Sequence, residues 1–282
     1  MEAPKRRWSR RIRSALGIFI TAFCAGSVAI ILLLILGYVI REGIGAISFD
    51  FVTQVPHPIG VAGGGVGNGI VGSAIIVGIA ALMAIPVGTL TGVYLTYFGS
   101  GLFAATVRFL SDVLSGIPSI AIGLFAYTLL VAPLGHFSAF SASFAFAILM
   151  LPVIITTSES AIKGVPRELY EGALALGVSR HYAIRHVILP SARSGIITGI
   201  VLAIARVTGE TAPLLFTAFG SQFWELNPNN PMAELSLQVF TYAISPYRSW
   251  HQQAWGGALI LICAVFFMNL GARMLLKPKL QR

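Results

Sequence analysis

A chain of 282 residues with 56% hydrophobic and only 10% charged residues lies far from the roughly one-quarter charged content of soluble domains. This excludes a water-soluble globular protein and points to an integral membrane protein. The formal net charge of +9 would suggest a nucleic-acid partner if it lay on a soluble face, but the basic residues stand at the ends of apolar runs, where they set topology. Cys24 and Cys263 fall inside apolar spans. They support neither a disulfide framework nor a metal site and read as small core residues.

In chain order, the basic start "KRRWSRRIRS" leads into an apolar stretch longer than the roughly 7–15 residues of a signal-peptide core. It is therefore expected to be a retained first span, with residues 1–14 as a basic tail and 15–39 as the helix. Further runs long enough to cross a bilayer, about 17–25 apolar residues, occur near 70–97, 103–131, 139–160, 194–217 and 254–276. Six spans put both ends on one side. The N-terminal tail, the 161–193 loop and the C-terminal end hold fifteen of the nineteen Lys and Arg, so these three segments are expected to be cytoplasmic by the positive-inside rule. Outer loops are expected at 40–69 and 218–253, as short ordered pieces without an extra domain. A permease-like core is expected over 70–276, and a cytoplasmic tail over 277–282.

The glycine-rich "GGGVGNG" (63–69) lacks both Gly-Lys-Ser/Thr and G-x-G-x-x-G spacing, so it is not a nucleotide loop. It reads as a flexible lead into the second span. The histidines lack metal-ligand spacing with carboxylates, and "HYAIRH" reads as a solvated basic helix.

The most specific stretch is "PRELYEGALALGVSRHYAIRHVILP", Pro166 to Pro190. Pro166 suits a helix start, Gly177 a left-handed stop, and Ser179 the cap of a second helix. The result is a helix–glycine–helix knob whose Leu169, Tyr170, Ala173, Leu174 and Leu176 present apolar surface to a partner's groove. The bland alternative is an amphipathic helix resting on the membrane.

Within this stretch, Glu171, Gly172 and Ala173, then Gly177, then Val187 to Pro190 resemble the EAA motif of ABC-importer permeases, with Gly172 and Val187 as small departures. "DVLSGIPSIAIGLF" (112–125), "GETAPLLFTA" (209–218) and "LSLQVFTYAISP" followed by "HQQAWGGALIL" resemble the phosphate-importer permeases of the PstA type. "GETAPLLFTA" separates these from the PstC type. The resemblance implies an all-α, six-helix permease of the type I ABC-importer architecture, located in the cytoplasmic membrane. It implies partnership with a PstC-type permease, a PstB-type ATPase dimer and a PstS-type phosphate-binding protein. This chain would bind no cofactor; ATP and Mg would sit on the ATPase. Glu168, Glu171, Gly172, Ala173, Gly177, Leu189 and Pro190 would couple the chain to that ATPase.

The fifth run carries two charges, Arg206 and Glu210. Wound at 100° per residue, Gly195, Gly199, Ala203, Arg206 and Glu210 share an arc of about 80°, and the two glycines form a small-xxx-small pattern for close helix approach. Twelve residues from Ser194 at about 1.5 Å each put Arg206 near the midplane of a 30 Å core. A charge there costs about 2.5–3.5 kcal/mol, so it is expected to work: Arg206 neutralises the passing anion, and Glu210 pairs with Arg206 when the anion is absent. The resemblance adds that the matching Arg and Glu matter for transport. The alternative is a purely structural ion pair. Arg108 and Asp112 form a second pair four apart, read as an interfacial arginine with a local partner or as a gate, and Pro118 is a candidate hinge.

The expected function is therefore that of a phosphate-importer permease subunit working by alternating access. The nearest alternative is a permease for another oxyanion such as sulfate or molybdate. An ion-coupled secondary carrier would need an internal repeat, which is not evident. A membrane sensor of phosphate status could coexist with transport.

Overall fold

In a hydrocarbon core every backbone N–H and C=O must be bonded within the chain, so the apolar runs become helices. The computed structural model describes residues 3–58, 61 and 63–275. Among them the chain is helical apart from turns and an isolated bridge between Phe219 and Met232. The helices are α1 (Ala3–Gly43), α2 (Phe49–Thr53), α3 (Gly67–Tyr97), α4 (Gly101–Gly116), α5 (Ser119–Ala126), α6 (Ala132–Leu134), α7 (Ala139–Lys163), α8 (Arg167–Ala175), α9 (Arg180–Ala183), α10 (Leu189–Thr208), α11 (Leu214–Thr217), α12 (Leu235–Ala243) and α13 (Arg248–Leu275). Single π turns at Tyr127–Val131 and Ile184–Ile188 join α5 to α6 and α9 to α10. The predicted tail 277–282 lies outside the described residues.

Five helical runs are long and apolar enough to cross a bilayer: α1, α3, α7, the unbroken 180–208 run and α13. The expected third span, 103–131, is not one helix. It is α4 followed by the α5–α6 run, bent by 105° at Ile117–Pro118. Pro118 has no N–H and pushes the preceding residue out of helical geometry, and Ile117 is extended (φ −71°, ψ 132°). The pair still carries the chain from end to end. Arg108 on α4 bonds the Leu95 carbonyl near the end of α3, whereas the Ser138 N–H, just after α6, bonds Thr217 at the opposite end.

Helix α7 is the centre of the bundle, packing against α3, α10, α5 and α4. Small residues set its closest contacts. A Cβ on Gly88 would lie 2.7 Å from Ile154, one on Gly92 2.7 Å from Ser158, and one on Gly195 2.6 Å from Ala161, while Gly199 abuts Thr157. The small-xxx-small face read on the fifth run is thus the face that packs on α7. Phe146, Met150 and Ile154 fill the space between, fully buried.

The first helix is longer than its apolar run, and two expectations give way here, those for the cysteines and for the 63–69 glycines. α1 begins at Ala3, so the basic start is continuous with the first helix, which at about 1.5 Å per residue outreaches a bilayer core. It meets the rest of the chain chiefly along α13, where Gly43 lies against the Trp255 carbonyl. Cys24 and Cys263 are both exposed on outward helix faces rather than packed in the core. The 63–69 glycines form a close-packed corner. Gly64 takes φ +84° with its missing Cβ 2.6 Å from the His57 nitrogen, and the Val66 and Gly67 N–H groups bond the Phe51 and Gln54 carbonyls at 2.8 and 2.9 Å.

Candidate functional site

Chain order folds the 166–190 segment as the sequence suggested. Pro166 is the N-cap of α8, Gly177 takes φ +83°, and the Ser179 hydroxyl accepts from the Tyr182 N–H at 3.3 Å. The segment does not stop at Pro190. The π turn 184–188 leads directly into α10, accommodating a proline ring that would clash with the carbonyl four residues back in a regular helix. Leu176 is 85% exposed and Leu169 46%. Glu168, Glu171 and Pro190 are exposed, Ala173 and Leu189 half-buried, and a Cβ on Gly172 would meet nothing within 4 Å. The inner side of the knob is anchored. Ile184 and Ile188 are buried against Val93 and Ile162, and the Tyr170 and Tyr97 rings lie 4.7 Å apart. A cavity of about 610 Å³, lined in part by Tyr97, Lys163, Arg167, Tyr170, Glu171 and Arg180, opens between knob and bundle.

Just above the knob, Arg108 finds a different partner from the one read in the sequence. Its Nε donates to Glu159 Oε1 at 2.9 Å and its Nη2 to the Leu95 carbonyl at 2.8 Å, while Lys163 Nζ lies 2.8 Å from the same Glu159 oxygen. Asp112 is exposed, and among the described residues no salt bridge joins it to Arg108. The pairing is tertiary because α4 lies across α7, which puts residue 159 nearer to Arg108's fork than the next turn of its own helix. This ties α3, α4 and α7 together at the end bearing the knob. Sequence reasoning missed Glu159, although its i,i+4 spacing to Lys163 in "ESAIK" was a signal.

At the opposite end, the segment around Arg206 differs from a straight span. α10 stops at Thr208, so Arg206 lies in its last turn, and Gly209 caps the helix with its N–H 3.4 Å from the Arg206 carbonyl. Glu210 lies beyond the helix in an irregular turn that ends at Pro213. The expected continuous helix 194–217 fails there because Gly209 is a poor helix former and Pro213 bars helical geometry at Ala212. Arg206 is exposed and Glu210 half-buried, and no salt bridge joins them among the described residues. A cation in the last turn is favoured by the helix dipole, which supplies local support that Glu210 was expected to give.

The turn is held on two sides. A Cβ on Gly123 of α5 would lie 2.6 Å from Pro213 Cα, and Ser236 of α12 donates to the Glu210 carbonyl at 3.0 Å. Ser236 in turn lies beside Glu234, a fully buried carboxyl that caps α12 and that sequence reasoning also passed over. Its signal was an acid immediately before the apolar helical run "LSLQVF". The irregular turn 209–213 thus lies against α5, the helix that follows the break at 117–118. Irregular backbone at such positions is tolerated where protein or a watery cavity satisfies it.

This all-helical bundle, with a central small-residue helix and a projecting helix–glycine–helix knob, has the architecture of an importer's membrane-spanning component. Residues 84–277 match the family described as "Binding-protein-dependent transport system inner membrane component", and the chain belongs to that family. Its fold resembles a chain of the methionine ABC transporter MetNI in inward-facing conformations, with a TM-score of 0.63 at 17% identity over 75% of this chain and 94% of that one. The "Phosphate transport system permease protein PstA" of Haemophilus influenzae is 42% identical over 87% of this chain and 87% of its own length. That of Yersinia pestis is 40% identical over 88% and 84%, and that of Xylella fastidiosa (strain Temecula1) 44% over 84% and 83%. Within the family, the chain belongs with these PstA permeases.

Proposed function

We propose that this multi-pass chain is the PstA-type permease subunit of an ATP-driven phosphate importer in the cytoplasmic membrane, with both termini on the cytoplasmic side. It forms the path with a PstC-type permease, receives phosphate from a PstS-type binding protein and is driven by a PstB-type ATPase dimer that holds ATP and Mg. The observation that carries this is the likeness to PstA permeases at 40–44% identity over 84–88% of the chain. These relatives lend no support to the sulfate or molybdate alternative.

The geometry supports a division of labour. The knob formed by α8 and α9 offers Leu169 and Leu176 outward while its underside is fixed to α3 and α7. A push on the knob therefore reaches the bundle as rigid-body motion. Arg206 supplies the guanidinium that receives a desolvated phosphate, at the point where α10 gives way to an irregular turn. Glu210, four residues on in the irregular turn, limits how tightly the anion is held. Arg108, anchored on Glu159, holds the knob-side end closed, and Pro118 is the bend about which α4 and α5 move.

The test is co-purification with the ATPase, followed by phosphate uptake in vesicles holding the whole complex, with sulfate and molybdate as competitors. Uptake that resists both competitors and requires ATP is expected. Failure to recruit an ATPase, or full inhibition by either competitor, would sink the reading.

A further inference from the structure

Glu234 is the one carboxyl that is fully buried among the described residues, and its hydrogen bonds contain a counting problem. The Ser236 hydroxyl lies 2.6 Å from Glu234 Oε2 and 3.0 Å from the Glu210 carbonyl oxygen. A hydroxyl has one hydrogen to give. If Glu234 is ionised both neighbours are acceptors, and one must go without.

A proton on Glu234 Oε2 resolves the count. Oε2–H then donates to Ser236 Oγ, and Ser236 O–H donates to Glu210. The remaining contacts already fit: the Leu237 N–H donates to Oε2 at 3.0 Å, Ser73 O–H donates to Oε1 at 2.9 Å, and Ser73 Oγ accepts from the Leu235 N–H at 2.9 Å. When the proton leaves, the stronger pull of a carboxylate takes the Ser236 hydrogen and the Glu210 carbonyl loses it.

We propose that Glu234 is a positioning residue for transport: its neutral carboxyl, through Ser236, holds the turn that follows Arg206, and losing the proton to the outer solution releases that turn. The proposal rests on the reading that the Arg206–Glu210 segment lines the path. The surroundings favour the neutral form. Burial pushes the Glu234 carboxyl up from the usual glutamate range, and the bonds from Ser236, Leu237 and Ser73 only partly offset this. None of the causes is a neighbouring charge. Neighbouring groups are Ser73 from α3, Ser236, Gln238 and Tyr242 from α12, and, through Ser236, the Glu210 carbonyl of the turn. In the 219–233 loop, Glu225 is engaged by its own Leu226, Asn227 and Asn230. A cavity of about 270 Å³, bordered by Glu234, Gln238, Tyr242 and Trp250 on the side assigned to the outside, gives the proton a way in.

The experiment measures initial phosphate uptake by the whole complex in vesicles at saturating phosphate, varying the outer pH from about 5 to 8.5 across the carboxyl range and above. Wild-type uptake should fall roughly three- to tenfold on the alkaline side, the weight of one hydrogen bond. In Glu234→Gln the amide N–H replaces the carboxyl O–H toward Ser236 but cannot accept from the Leu237 N–H, so uptake should be lowered to a similar extent at every pH and the fall abolished. Titration of phosphate itself is common to both proteins and cancels in the comparison. Ser236→Ala should be low at every pH. The same alkaline fall in Glu234→Gln, or a fall retained in Ser236→Ala, would overturn the proposal. Arg206→Gln separates the two readings. Normal uptake in Arg206→Gln removes the path role whatever Glu234 does, whereas lost uptake with an unchanged fall in Glu234→Gln removes only the link through Ser236.

Discussion

Glu159 receives both Arg108 and Lys163 on a single carboxylate oxygen, at 2.9 and 2.8 Å, and thereby fastens α4 to α7 at the end that carries the knob. The two cations are not equal. Arg108 also reaches the Leu95 carbonyl, whereas Lys163 is more than half exposed and pairs along its own helix. Glu159→Gln should therefore lower stability by about 1.5–3 kcal/mol, the weight of charge-assisted hydrogen bonds. Lys163→Met should cost about 0–1 kcal/mol. Thermal unfolding of the purified proteins in one detergent would rank them, and equal losses would contradict the unequal roles.

Two glycines of similar appearance should respond in opposite ways. Gly195 has no room for a side chain against Ala161, so Gly195→Leu should prevent α10 from seating on α7 and abolish assembly. Gly172 faces open space in the middle of α8. Gly172→Ala should stabilise the knob by about 0.5–1 kcal/mol while leaving uptake intact. Recovery of folded protein from membranes checks both.

Gly177 turns the chain between α8 and α9 at φ +83°, a conformation costing roughly 1–2 kcal/mol for residues with a Cβ. Gly177→Val should tilt the knob and reduce ATPase co-purification with little change in membrane insertion. Leu176→Asp should do the same through the exposed apolar contact. Undiminished ATPase binding in both would argue against the knob as the docking element.

Stability should also fall as pH rises through the titration of Glu234. A carboxyl raised in the folded state binds its proton more tightly than in the unfolded chain. Its contribution is therefore complete below the unfolded value of about 4.3 and is lost as pH climbs through the folded one. Glu234→Gln should flatten that slope in melting curves taken across pH.

Much of this was legible in the sequence because it depends on local chemistry. Pro166, Gly177 and Ser179 each act within a few residues, and the structure uses them as read. The Gly195–Gly199 face was visible from helical winding alone. What escaped was set by proline and by distance in the chain. Winding through Gly209 joined Arg206 to Glu210 on one face, but the helix ends between them, ahead of Pro213. The i,i+4 spacing offered Asp112 to Arg108, but a residue 51 positions away lies nearer once α4 crosses α7. Glu234 was passed over: its place before "LSLQVF" signals a helix cap, but nothing in its neighbourhood announces that Ser73, 161 residues earlier, closes over it.

The most direct test of the central claim is phosphate uptake by vesicles containing the complete importer with Arg206→Gln, at wild-type levels of assembled complex and with Arg206→Lys alongside. A guanidinium that receives the desolvated anion predicts a loss of at least about tenfold for the glutamine variant, the equivalent of about 1.4 kcal/mol, and partial retention for lysine. Normal uptake in Arg206→Gln, with assembly unchanged, would contradict a place for Arg206 in the phosphate path.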